Sequence, residues 1–176
     1  MLDIETVATC NNAGIISIAF VPFYHSYPEL PCYYERILSS SLEERGFIFN
    51  RETLEWWDKQ NPNVRSEAFG GTKDISSVLQ DICQYFRDLP DCTRLVWGKG
   101  SDFDNSIVAD AFDICGIPLP WNFRNNRCFR TLEELFGEHC TFKPTNTANK
   151  HNALADAEYQ AKRATEILLH LKGEPK

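Results

Sequence analysis

The sequence contains no stretch of about 18 apolar residues, the length a helix needs to cross a bilayer. Its longest early apolar run, Gly14 to Phe23, is broken by Ser17 and closed by Pro22. The N-terminus lacks the basic region and cleavage site of a secretory leader, so a soluble, cytoplasmic protein without a membrane partner is expected. No two cysteines are spaced C-x-x-C, and the seven present (Cys10, Cys32, Cys83, Cys92, Cys115, Cys128 and Cys140) are odd in number. That pattern suits neither a disulfide framework nor a zinc knuckle; reduced, mostly buried thiols are expected. Repeats, low-complexity tracts and Gly/Ser/Pro linkers are also missing, so the 176 residues read as one domain, 1–176, with a sizeable core. Basic charge is in deficit: 25 acidic against 18 basic side chains leave a net charge of −7. This argues against broad nucleic-acid binding through a basic surface. It does not exclude an enzyme whose acidic groups hold cations, because bound metal inverts the local field.

What is present alternates in type along the chain. Met1 to Glu5, Ile15 to Phe23 and Cys32 to Leu38 read as three strands joined by short polar turns, an antiparallel meander. Thr53 to Gln60 reads as a short helix stopped by Asn61-Pro62, and Gly70-Gly71-Thr72 as a turn. From Asp74 to Leu89 the apolar residues Ile75, Val78, Leu79, Ile82, Phe86 and Leu89 fall at helical spacing, and Pro90 follows. Arg94 to Trp97 reads as a buried strand. A helix is expected over Asp102 to Cys115 with Phe103, Ile107, Ala111 and Ile114 on one side. Arg127 to Arg130 reads as a fifth strand, and Thr131 to Phe136 begins a helix with a Thr131/Glu134 capping box. The last helix, Asn152 to Leu171, has small inner residues, Ala153, Ala157, Ala161 and Ala164, and ends at Gly173 and Pro175. This order implies an α/β fold: a mixed five-stranded sheet, three antiparallel strands and then parallel ones, flanked by helices.

Three stretches carry chemistry. In Leu2-Asp3-Ile4-Glu5-Thr6, strand alternation points Asp3 and Glu5 to one face and Leu2 and Ile4 to the other. Two carboxylates side by side must be solvated, protonated or bridged by a cation; alone, the pair reads first as the polar side of a frayed, exposed N-terminal strand. In Trp97-Gly98-Lys99-Gly100-Ser101-Asp102-Phe103-Asp104 a strand gives way to a glycine-rich turn and a helix. Ligands gather at such strand ends, yet Ser101 and Asp104 also fit a capping box. In His151-Asn152-Ala153-Leu154-Ala155-Asp156, five residues correspond to about 140° of helical rotation. His151 can therefore share a site with Asp156 only from outside the helix, in the loop from Lys143 to Lys150. Asp156 lies among alanines, where a carboxylate without a partner is unfavourable.

Taken together and in order, D-x-E, F-D and H-x-x-x-x-D form the motif set of the DEDDh 3′–5′ exonucleases of the ribonuclease H-like superfamily, which the chain resembles over nearly its whole length. The resemblance is nearer to the exodeoxyribonuclease VIII-like and ribonuclease AS-like phage and bacterial exonucleases, through Thr53-Leu54-Glu55-Trp56-Trp57-Asp58-Lys59-Gln60, Trp97-Gly98-Lys99-Gly100 and Arg127-Cys128-Phe129-Arg130-Thr131-Leu132. Gly100 departs from the asparagine that many relatives carry four residues before the aspartate, and only two residues precede Asp3.

The resemblance implies that Asp3, Glu5, Asp104 and Asp156 hold two divalent cations, Mg²⁺ or Mn²⁺, hard ions that favour oxygen ligands. It implies that His151 is the general base, imidazole being the side chain that titrates nearest neutrality. Nucleoside 5′-monophosphates would leave the 3′ ends of nucleic acid, DNA or RNA. Candidate substrate contacts are Thr6, Trp56, Trp57, Lys99, Phe103 and Arg130, with Arg124 and Arg127 as further phosphate contacts. The adjacent tryptophans diverge by about 100° on a helix, so one can stack on a base while the other packs inward; both anchoring the core is the competing reading. Homodimers occur among similar proteins. A non-catalytic nucleic-acid-binding module on the same fold and a nucleotide phosphohydrolase stand as alternative functions.

Overall fold

The computed structural model describes residues 1–23, 30–90, 95–142 and 151–173. Arg94, the loop 143–150, Cys92 and Pro175 lie outside the described residues. Three strands open the chain: β1 (Leu2–Thr6), β2 (Ile15–Phe20) and β3 (Tyr33–Arg36). Both pairings are antiparallel, in the order β1-β2-β3. Short helices follow, α1 (Ser39–Glu44), α2 (Arg51–Asp58) and α3 (Pro62–Ala68), and then the longer α4 (Ile75–Asp88). Next come β4 (Val96–Gly98), α5 (Asp104–Ile114), β5 (Asn126–Cys128), α6 (Phe129–Phe136) and α7 (Ala153–Lys172). β4 and β5 pair in parallel.

The mixed α/β architecture is as expected, but the single five-stranded sheet is not what the ladders show. Among the described residues, hydrogen bonding joins a three-stranded antiparallel sheet and a separate two-stranded parallel one. β1 is displaced by one residue from the expected Met1–Glu5, and β2 and β3 are shorter than expected. Asn61-Pro62 does not simply stop a helix. The Asn61 side chain accepts from the Asn63 N–H and Pro62 takes the first position of α3, so the pair starts a new helix. α6 begins at Phe129, with no side-chain cap, so the Thr131/Glu134 capping box is not formed and Arg130 belongs to a helix rather than a strand.

Strand alternation decides which core each face joins. Leu2 and Ile4 of β1 and Ile16, Ile18 and Phe20 of β2 pack with α4 (Ile75, Val78, Leu79, Ile82, Phe86) and α5 (Ile107, Val108, Ala111, Phe112). Ile114, expected on that buried face, is 38% exposed. On the opposite face Met1, Ala19 and Val21 meet Phe129 and Leu132 of α6 and the alanine stripe of α7, Ala153, Ala157, Ala161 and Ala164. The cross-strand partners of Asp3 and Glu5 on this face are the small Ala19 and Ser17. Small residues on both sides let α7 lie close to β1 and β2. Asn152 caps α7 through the Ala155 N–H, and Gly173, at φ 68°, closes it in the left-handed conformation that glycine tolerates. All six described cysteines are free; only Cys140 is buried, which corrects the expectation of mostly buried thiols.

α2 is tied to the end of β1. Trp57 is 1% exposed, and its Nε1–H donates to the Thr6 carbonyl at 2.9 Å. Trp57→Ala is expected to destabilise the protein by about 3–5 kcal/mol in urea denaturation, whereas Trp56→Ala, at a position 39% exposed, should cost about 1 kcal/mol or less. Equal losses at the two positions would contradict this division.

Candidate functional site

The face of β1 that meets α7 carries Asp3 and Glu5, the register read from D-x-E. Asp3 is 9% exposed, and Glu5 is half-buried. Asp104 enters from the first turn of α5 and is 6% exposed. The chain folds back at Gly100, whose carbonyl accepts from the N–H groups of Phe103 and Asp104. Gly98 makes this approach feasible: a Cβ there would lie 2.4 Å from Asn105 Oδ1 and 3.0 Å from Asp104 Cβ. α5 starts without any side-chain cap, so Ser101 and Asp104 do not form the capping box their spacing allows.

His151 and Asp156 come together as the rotation argument requires. His151 precedes α7 and takes φ 66°, a left-handed conformation and the only such non-glycine among the described residues. Its backbone N–H donates to Asp156 Oδ2 at 3.0 Å. The turn brings the imidazole back over the carboxylates: ligand atoms of Glu5, His151 and Asp156 all lie within 4.8 Å of one another. The His151 ring meets Trp56 edge-on, with centroids 4.8 Å apart, and Trp57 at 6.4 Å.

Like charges in a dry space raise one another's pKa. Burial holds the Asp3 carboxyl well above its usual range; Asp104, Glu5 and Asp156 add to this, and a hydrogen bond from Gln160 opposes it. Burial, then Asp156 and Asp104, push Glu5 up to about 8. Burial raises Asp104 to about 7, against the backbone N–H groups of Asp104, Ile4 and Lys99 and the Arg130 guanidinium. Asp3 and Glu5 thus lie within electrostatic reach of Asp104 and Asp156. A divalent cation suits such a cluster: the donors are hard oxygens with one imidazole nitrogen, and positive charge would favour the ionised carboxylates that burial disfavours.

The remaining candidates divide. Trp57 is buried, and the Thr6 hydroxyl donates to the Ala8 carbonyl at 2.7 Å. Phe103 is half-buried against the core. Trp56, Lys99 and Arg130 are exposed, and the Arg130 guanidinium comes within reach of Gly100 and Asp104. Arg127 donates to the carbonyls of Arg124 and Asn126, and Arg124 lies over Phe123; neither is drawn towards the carboxylates. Gln160 was not legible as a site residue, although a polar residue one turn after Asp156, within an alanine face, was a usable signal. Asn105 is fully buried and links α5 to the Val96 carbonyl and to Asn126.

Carboxylates from β1 and α7 crowded beside an imidazole on a mixed α/β fold are compatible with an exonuclease domain. The family model of the 3′-5′ exoribonuclease Rv2179c-like domain matches residues 1–168, and the chain belongs to that family. It is also similar to the exodeoxyribonuclease of Enterobacteria phage T4, 24% identical over 124 residues, covering 62% of this chain and 53% of the phage protein. The chain thus spans about half the length of that curated relative.

The raised carboxyl pKa values set the sign of a pH effect. A carboxyl whose pKa is higher folded than unfolded binds more protons in the folded state. Its contribution to stability is present below the unfolded pKa and is lost as pH rises through the folded one. For Glu5 that window runs from 4.5 to about 8, and for Asp104 from 3.8 to about 7. In chelator, the melting temperature is expected to fall between about pH 5 and about pH 8, and to fall less in Glu5→Gln. Parallel curves for the two proteins would show that Glu5 is not a strained carboxylate.

Proposed function

We propose that this chain is a metal-dependent 3′–5′ exonuclease that releases nucleoside 5′-monophosphates from nucleic-acid 3′ ends. The observation that carries the reading is the convergence of Glu5, His151 and Asp156 within 4.8 Å, with Asp3 and Asp104 within electrostatic reach of Glu5. β4 lies beside β1, which supports reading the two sheets as halves of one ribonuclease H-like sheet in the order β3-β2-β1-β4-β5.

In this reading Asp3, Glu5, Asp104 and Asp156 hold two divalent ions, Mg²⁺ or Mn²⁺. Bound there, the ions supply charge to the phosphodiester and lower the pKa of the attacking water. His151 accepts that water's proton. Its backbone N–H bond to Asp156 and T-shaped contacts with Trp56 and Trp57 hold the ring in place, and Gly98 lets Asp104 approach β1. Exposed Trp56 offers a face to the terminal base, and such stacking is worth about 1–3 kcal/mol. Lys99 and Arg130 supply positive charge for phosphate beside an otherwise acidic site. A non-catalytic binding module gains no support, since every acid and the imidazole are present. The family's description names RNA and the phage relative's name DNA, so the polymer is a question for experiment.

The test is a degradation panel: single- and double-stranded DNA and RNA, and free nucleotides, each with Mg²⁺ or Mn²⁺. Mononucleotide release from a 3′ label, abolished by chelator, is expected; no release from any polymer sinks the proposal, and hydrolysis of free nucleotides alone would make it a nucleotide hydrolase. Asp156→Ala should abolish activity in a folded protein. His151→Ala should slow the reaction by about 10²–10⁴ at its best pH, and a smaller effect removes His151 from the role of base.

A further inference from the structure

One polar side chain on the buried face of α7 has no part in the reading above. Gln160 lies one turn beyond Asp156 and beside Ala157, Ala161 and Ala164, and is 3% exposed. Its Nε2–H donates to Asp3 Oδ1 at 2.7 Å. Its Oε1 has no hydrogen-bond partner among the described residues. Burying an amide with its acceptor unmet is unfavourable, and an aliphatic side chain of similar size would fill an alanine-lined interface without that penalty. The contact with Asp3 is what the amide supplies.

A carboxylate turns easily about its last torsion, a broad, roughly two-fold well. Asp3 sits among Asp104, Glu5 and Asp156, so repulsion alone would set its plane. A donor on one oxygen fixes that plane and leaves the second oxygen for a cation. The donor has to be neutral: a lysine or arginine at this position would cancel the charge of Asp3 and repel the ion. Glutamine meets both conditions.

We infer that Gln160 is a positioning residue that holds Asp3 in the orientation in which it ligates a divalent cation. This rests on the reading of the four carboxylates as cation ligands.

The test is Mn²⁺ binding to the chelator-stripped full chain, followed through the EPR signal of free Mn²⁺ in wild type and Gln160→Met. The variant keeps side-chain length and loses the amide. Its apparent Mn²⁺ affinity is expected to fall roughly 10- to 100-fold, the range for residues that orient metal ligands, with no loss in the chelator-treated melting temperature. A folded variant that binds Mn²⁺ as wild type does overturns the inference and leaves the metal-dependent reading standing; a wild type that binds no Mn²⁺ overturns both. A second measurement needs no variant. In Gln-labelled wild type, the Gln160 side-chain amide NMR signal should shift on Mg²⁺ titration and saturate with the ion, and a signal that does not move also overturns the assignment.

Discussion

The arrangement depends on one constraint: carboxylates of like charge are held together in a space with little water. β1 presents Asp3 and Glu5 on the face that meets α7 because alternate strand residues share a face. α5 adds Asp104 and α7 adds Asp156. Left to themselves these groups resist ionising: burial first and neighbouring carboxylates second raise Asp3 and Glu5, and burial raises Asp104. The fold tolerates it because each supporting element is fastened by something else. Apolar packing of Leu2 and Ile4 holds β1 from behind, and alanine packing against Ala19 holds α7 from the front.

The same logic explains where the small residues stand. Gly98 has no side chain because Asn105 and Asp104 occupy the space one would need. Ala19 and Ser17 are small opposite Asp3 and Glu5, and the facing residues of α7 are alanines. Large side chains at these positions would push the carboxylates apart and leave each solvated singly. The aromatic residues act at the rim. Trp57 locks α2 to the Thr6 carbonyl from within the core, and Trp56 makes a T-shaped contact with His151 from the solvent side. Helix α2 thereby couples the strand that bears two acids to the ring proposed as the base.

Much of this was legible in the chain because it follows from local periodicity. Period two separated Asp3 and Glu5 from Leu2 and Ile4, and helical spacing identified the buried face of α4 and the alanines of α7. The rotation between His151 and Asp156 required the histidine to stand outside the helix, where it is found at φ 66°. Misreadings came from signals with two local meanings. Ser101/Asp104 and Thr131/Glu134 both fit a capping box and neither forms one. Asn61-Pro62 reads as a stop and is also a start: α2 has ended at Asp58, and α3 begins at Pro62. Which meaning prevails depends on what packs nearby.

By itself, then, the sequence determined which side chains share a face within β1 and the longer helices α4, α5 and α7, since backbone geometry repeats every two or 3.6 residues whatever surrounds it; the short helices α1 and α3 and the helical start of α6 at Phe129 were not legible in it. Tertiary structure alone decided that Gln160 meets Asp3 across 157 positions of chain, that Trp57 rather than Trp56 is buried, and that the strands pair as three and two. Those outcomes are set by how closely whole elements approach, a matter of volume and hydrogen-bond matching between distant segments that no local repeat encodes.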